Sequence, residues 1–242
     1  MSEAERLPQR ISDAQFRGAR GLFAVTALFL FVVGCSSGAD GQVEDRNCDV
    51  AASSDRGEVL RRILGSKDVG VDTFSGDRRF VEKMRARVIG DASQGAGHPL
   101  AACAFYPKDY SGVQRVRVEF EWVPRSDSGP ARKELRGGDS HYATAGAQGE
   151  SSAFISRLRF DCRLSGDAEE ASRSMVLQGV VSNTLKDSSE FDQADKDRRF
   201  SFLHLVSRNT AEILECENDP LAGPPPATAY PTEAEAEAAV RR

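Results

Sequence analysis

Val113-Gln114-Arg115-Val116-Arg117-Val118-Glu119-Phe120-Glu121-Trp122-Val123 decides the fold class. Val116, Val118, Phe120 and Trp122 alternate with Arg115, Arg117, Glu119 and Glu121, and a period of two puts one set in a core and the other in water. A β-strand facing solvent on one side belongs to an antiparallel sheet. Upstream, Leu100 to Tyr106 is a short apolar run holding Cys103. Downstream, residues 124–152 form a long excursion rich in Gly, Ser and charge, with a weak strand expected around His141–Ala147. From Phe154 to Arg163 the alternation returns, Phe154, Leu158, Phe160 and Cys162 against Arg157, Arg159, Asp161 and Arg163. Met175 to Val181 is apolar on both faces apart from Gln178, as a more buried strand would be.

Helical periodicity lies outside this β-rich middle. In Asp55–Leu64, Val59, Leu60, Ile63 and Leu64 share a face and Gly65 is a stop signal. Phe80, Met84 and Val88 recur every four residues in a second helix, expected from Asp77 to Ile89 and ended by Gly90. A long third helix is expected from Ser189 to Cys216, with Ser189 and Asp192 forming a capping box and Phe202, Val206, Ile213 and Cys216 on one side. Asp-Arg-Arg-Phe occurs at 77–80 and 197–200, but the flanks differ and no repeat is inferred. The expectation is an α+β domain: an antiparallel sheet of four to five strands, two N-terminal helices and one long C-terminal helix.

The N-terminus carries a different signal. Arg6, Arg10, Arg17 and Arg20 precede Gly21–Val33, thirteen residues without a charge. A membrane-spanning helix needs about 20 apolar residues, so this run has the length of a signal-peptide core. It ends in Val32-Val33-Gly34-Cys35, which resembles the lipobox of bacterial lipoproteins. That resemblance implies cleavage after residue 34 and covalent lipid on Cys35, the sole cofactor-like group expected. Residues 35–47 then read as a flexible tether, 48–217 as one domain, and the Pro/Ala-rich 218–242 as a disordered tail. Gly34-Cys35-Ser36-Ser37-Gly38 matches the G-x-S-x-G hydrolase pattern, but a nucleophile elbow needs a strand before it and a helix after it.

Beyond the lipobox, Val116–Pro124 and Cys216-Glu217-Asn218-Asp219-Pro220 are similar to stretches of uncharacterised lipoproteins of actinobacteria. That family implies location, lipid-anchored outside the cytoplasm, and no reaction. A broader likeness is to small exported α+β sensor and ligand-binding domains that also use paired disulfides.

Without residues 1–34 the chain carries 28 basic and 34 acidic side chains, a net charge of about −6. No basic run interleaves with aromatics, which argues against a nucleic-acid partner. Cys48, Cys103, Cys162 and Cys216, an even set in an exported chain, are disulfide candidates with three possible pairings. The favoured pairing is Cys103–Cys162, two core-facing strand positions, with Cys48–Cys216 tying the tether to the last helix. No C-x-x-C is present, and His98, His141 and His204 have no metal-ligand or H-E-x-x-H spacing, so no metal is assigned. His204 and Arg208 read as an ordinary surface pair. No carboxylate is set apart by context and no phosphate loop is found, so no catalytic residue is assigned.

One constellation stands out. Arg115, Arg117, Arg157, Arg159 and Arg163 are expected on the outer sheet face beside Glu119, Glu121 and Asp161. Cross-strand ion pairs explain such a face without a ligand; an anionic envelope partner would also dock there. The first functional expectation is therefore a non-enzymatic, membrane-anchored module binding an envelope ligand or protein. Second comes a secreted hydrolase or cell-wall-modifying enzyme. Third comes a carrier of lipid or another apolar ligand, with a cavity lined by Phe120, Trp122, Phe160, Phe202 and Val206.

Overall fold

The computed structural model describes residues 46–51, 53–94, 97–109, 115–127, 139–144, 146–184 and 192–241. The signal segment, Cys35 and Ser189 lie outside the described residues. Along the chain come α1 (Asp55–Leu64), β1 (Val69–Thr73), α2 (Asp77–Gln94), β2 (Leu100–Pro107), β3 (Val116–Pro124), β4 (Ser140–Thr144) and β5 (Ala147–Ser151). They are followed by β6 (Ile155–Phe160), α3 (Glu169–Ser174), β7 (Met175–Asn183), α4 (Gln193–Ile213) and α5 (Glu233–Val240). The fold is α+β, with seven strands and five α-helices among the described residues rather than four to five strands and three helices.

Local chemistry sets most of these boundaries. At α1 the Ser54 hydroxyl accepts from the Gly57 N–H, and Gly65 closes the helix at φ 63°, its N–H donating to the Arg61 carbonyl. That is a side-chain N-cap and a left-handed glycine stop. The second helix runs through Gly90 to Gln94 instead of ending there, because Gly90 is tolerated in a helix even though it adds nothing to it. The long helix begins later than expected. Its capping box is Asp192 with Asp195, the Asp195 N–H donating to Asp192 Oδ1 at 2.8 Å.

The sheet order is β1-β2-β3-β7-β6-β5-β4, with every neighbour antiparallel. After β3 the chain crosses to the far edge and returns as the β4–β5–β6 meander. Strand β7 then inserts between β6 and β3 and joins the two halves. Its central place explains why it is apolar on both faces. The strand expected near His141–Ala147 is two strands, folded back at Gly146 with φ 82°.

One face carries the core. Val118 pairs with Val181, Phe120 with Gly179 and Trp122 with Leu177, and these continue to Ser156, Leu158 and Phe160 of β6. Helices α1, α2 and α4 lie on this side. Phe80 of α2 meets Phe120 edge to face at 5.9 Å, and Phe202 of α4 meets Phe105 at 5.7 Å. Trp122 is fully buried and its indole N–H donates to the Met84 carbonyl at 3.0 Å. Two strand glycines bring α4 close: a Cβ at Gly149 would lie 2.3 Å from the Phe200 ring, and one at Gly179 would lie 2.8 Å from Ser207 Oγ.

The disulfides are Cys48–Cys103 and Cys162–Cys216, which overturns the Cys103–Cys162 and Cys48–Cys216 assignment. Strands β3 and β7 lie between β2 and β6. At about 4.8 Å per strand spacing, Cys103 and Cys162 are roughly 14 Å apart, twice the reach of a disulfide. Cys48 instead docks on β2. Cys216 meets the segment after β6, where the Glu217 N–H donates to the Arg163 carbonyl.

Both ends of the domain also extend further than expected. Asn47 is buried: its N–H donates to Asp77 Oδ1 at 3.1 Å and its side-chain oxygen accepts from Thr210 at 2.8 Å. Arg46 and Asn47, assigned to the tether, therefore belong to the folded domain. The segment assigned as a disordered tail is packed, with Leu221 and Ala236 buried and Tyr230 bridged to His141 of β4. Its Pro/Ala composition misled because two edge-strand hydrogen bonds and a few seated side chains order it.

Candidate functional site

Helices α1, α2 and α4 leave the opposite face of the sheet to mostly polar residues, with Val176 and Val180 of the central β7 among them. On it Arg157 pairs in register with Glu150, and Glu150 with His141; Arg159 pairs with Gln148, and Gln148 with Ala143. Helix α5 lies over this end, and its stripe Glu233, Ala236, Glu237 and Val240 follows the i, i+3, i+4, i+7 spacing of one helical face. The Tyr230 N–H donates to the His141 carbonyl at 2.8 Å and the His141 N–H to the Tyr230 carbonyl at 2.9 Å, extending edge strand β4. Gln148 Nε2 donates to Glu237 Oε1 at 2.9 Å.

Between α5 and the strands is a cleft of about 290 Å³, bordered by Arg125, Gln148, Arg159, Asp161, Glu237 and Arg241. Beside it, a space of about 30 Å³ reaches His141, Glu150, Arg157 and Glu233. Ligand pockets begin near 300 Å³, so the pair has room for a small polar group or a few side chains.

Most of the charges here already hold one another. Arg157 meets Glu150 at 3.3 Å, with side chains 19% and 14% exposed. Arg159 donates to Gln178 Oε1 at 2.6 Å, and Gln178 donates in turn to Glu121. Arg125 bonds Asp161 at 2.8 Å. Burial raises Glu150 above the usual carboxylate range, with Arg157 opposing the shift. Burial likewise raises Glu121, against the Gln178 hydrogen bond and Arg157. Asp139 is raised by burial against His141 and Lys196. Carboxylates kept partly desolvated beside guanidinium groups suit binding of an ionic or hydrogen-bonding group. Glu121 and Glu150 do not form a glycosidase pair: β7 and β6 separate them by about three strand spacings, roughly 14 Å. The two carboxyls of a glycosidase stand about 5 to 9.5 Å apart.

The structure brings four of the five predicted arginines onto this face. Arg115 lies 6.0 Å from the Tyr106 ring centroid and Arg117 lies 5.6 Å from that of Phe74. Arg117 also pairs with Glu119 at 2.8 Å. Arg163 is the exception. Strand β6 ends at Phe160, and Arg163 belongs to the loop that the Asn218 amide and Glu217 hold against the end of α4.

The histidines occupy three separate places. His98 is exposed before β2, His141 is on the outer face, and His204 is on α4 across the sheet. His204 is not a surface residue. It is 1% exposed, its Nδ1 has no hydrogen-bond partner among the described residues, and burial, with Arg208 nearby, lowers its pKa to about 4. No group of three His, Cys, Asp or Glu suited to a metal occurs among the described residues. Phe120, Trp122, Phe160, Phe202 and Val206, the expected lining of a carrier cavity, are at most 2% exposed and belong to one packed core.

Two features escaped the sequence. Arg199, inside the second Asp-Arg-Arg-Phe, is buried and donates to Ser156 Oγ at 2.9 Å, the Ala153 carbonyl at 2.8 Å, Ser151 Oγ and the Ser152 carbonyl. It clamps α4 to the β5–β6 turn. The cleft was hidden because Gln148 and Glu150 sit in Ala-Gln-Gly-Glu-Ser, a stretch with little strand propensity. Comparison of the chain with protein-family models, curated proteins and solved structures finds no match in any of the three.

Proposed function

We propose that the chain is a membrane-tethered, extracytoplasmic binding module whose partner docks on the outer face of the sheet. The observation that carries this reading is the placement of Arg115, Arg117, Arg157 and Arg159 opposite the core helices, beside a polar cleft at one end. Two disulfides agree with an oxidising compartment outside the cytoplasm. A lipid on Cys35 would hold the domain at the surface where an envelope partner lies, raising its effective concentration there. The expected partner is anionic, because the guanidinium groups are the strongest directional donors on the face.

Arg117→Ser combined with Arg159→Ser tests the reading. Neither side chain enters the core, so the double variant keeps its thermal midpoint within a few degrees. Binding of the purified chain to isolated cell envelopes is expected to fall with it. Envelope binding equal to that of the unsubstituted chain would overturn the docking role.

A further inference from the structure

Helix α5 is held in an unusual way. The residues it turns toward the sheet are Glu233, Ala236, Glu237 and Val240. A helix packed for stability puts apolar residues at these four positions. Here two are glutamates, only Ala236 is buried, and Val240 stays 40% exposed. The glutamates line the same small space as Arg157, Arg159 and His141, and Glu237 accepts from the Gln148 amide at 2.9 Å and from Arg241 of its own helix at 3.3 Å. The seam is thus polar and imperfectly filled, which is how the cleft beside it arises. A helix of eight residues has little stability of its own and depends on this seam.

The connection to the rest of the chain also favours exchange. Leu221 is buried, and Tyr230 makes the next described hydrogen bonds, to His141. The segment between them contains Gly223-Pro224-Pro225-Pro226. A polyproline stretch is extended, and among the described residues positions 222–229 make no backbone hydrogen bond to the domain, with Ala229 alone packed on the core cluster, so the stretch holds α5 near its seat without fixing it there.

We propose that the outer face of β4–β6 is a peptide-binding site for an acidic, alanine-rich helical segment. Helix α5 is its resident occupant, displaced when a partner protein presents a segment of the same chemistry. This deepens the docking-face reading and rests on it: the partner's carboxylates take the places of Glu233 and Glu237, and a small residue takes the place of Ala236. Tethering gives α5 an effective concentration on the order of millimolar. A free peptide therefore competes poorly until α5 is out of the way. If α5 is seated about nine-tenths of the time, unseating it raises the apparent affinity of a peptide about tenfold.

The test uses the full chain and a labelled peptide covering residues 229–242, its binding followed by fluorescence anisotropy. Ala236→Pro removes the hydrogen bond from the Ala236 N–H to the Thr232 carbonyl and alters the one buried residue of the seam, away from the core cluster on the other face of the sheet. The peptide is expected to bind the A236P chain about tenfold more tightly than the unsubstituted one, and more weakly as salt rises. A peptide with its three glutamates changed to glutamine is expected to lose that binding. Equal affinity for both chains, or no binding to either, would overturn the proposal. Hydrogen exchange on the unsubstituted chain gives a second reading that needs no variant. The amides of Ala236–Val240 should exchange far faster than those of Leu203–Val206 in α4, and equal protection would also overturn it. If peptide binding fails while Arg117→Ser with Arg159→Ser still abolishes envelope binding, the docking face stands and the exchangeable helix falls.

Discussion

Gly149→Ala sets strand propensity directly against packing. Glycine inside a strand is entropically costly, and replacing it with alanine at an unobstructed site stabilises a protein by about 0.4–1 kcal/mol. Gly149 is not unobstructed. An added Cβ would stand 2.3 Å from Phe200 Cε2, 2.5 Å from its Cζ and 2.6 Å from the Arg157 carbonyl oxygen. The first two contacts belong to a ring stacked on Tyr142 at 4.0 Å, whose hydroxyl donates to Asp197 at 2.7 Å, and the third is backbone. Neither side can retreat without breaking the contact of α4 with β4 and β5. Overpacking of this kind costs about 1–3 kcal/mol, which exceeds the entropic gain, so the net effect is a loss of about 1 kcal/mol. In a domain of this size that lowers the thermal midpoint by about 2–4 °C. Trp122, the sole tryptophan, is fully buried, so its fluorescence in urea reports unfolding without a label. Gly90→Ala is the control, since a Cβ at that helical position meets nothing within 4 Å; it should stabilise by about 0.5–1 kcal/mol. A Gly149→Ala protein as stable as the unsubstituted one, or more so, would refute the close approach of α4 to β5.

Acid should expose the burial of His204. A histidine held near 4 in the folded chain and at about 6.5 unfolded costs nothing above pH 6.5, and its stability is lost progressively as pH falls toward 4. The loss at pH 5 is about 2 kcal/mol, and the raised carboxylates Glu121 and Glu150 act in the opposite sense. His204→Leu isolates the histidine: the stability gap between the two chains should shift by about 2 kcal/mol in favour of the variant from pH 7 to pH 5, and a constant gap refutes its burial. The disulfides close loops of 55 and 54 residues, each constraining the unfolded chain by about 4 kcal/mol. An unreduced peptide map should link Cys48 to Cys103 and Cys162 to Cys216, and removing either pair by Ala substitution should lower the urea midpoint. Cys35→Ser should release the protein from the membrane fraction; retention would sink the lipid anchor.

The parts of the fold legible from sequence are those whose free energy is local. Helix α1 appears between its predicted ends because Ser54 and Gly65 are caps that act within a turn of themselves. Strand β3 carries a period of two across its whole length, and β7 is apolar on both faces, which marked it as a more buried strand. Strand β5 and the packing of helix α5 were not legible, although a helix over Thr232–Val240 was. Ala-Gln-Gly-Glu-Ser is a strand because β4 and β6 offer hydrogen bonds on both sides. Thr232 caps the helix locally, but its seat on the sheet comes from Tyr230, which bridges to the open edge of β4. Without β5 and α5 the cleft between them could not be anticipated, though two of its residues, Arg159 and Asp161, were already marked.

The sequence by itself determined the α+β class, the apolar faces that make the core, and the residues able to form disulfides, because periodicity and composition act over a few neighbours. Tertiary structure alone decided which cysteines meet, since strand order puts Cys103 and Cys162 on strands too far apart to bridge. It also decided that His204 and Arg199 are buried, because the neighbours that enclose Arg199 come from more than 40 residues away in the chain. The polar seam under α5 has the same origin. A helix with alternating glutamate and alanine does not specify its own seat, and a sheet edge 90 residues upstream supplies it.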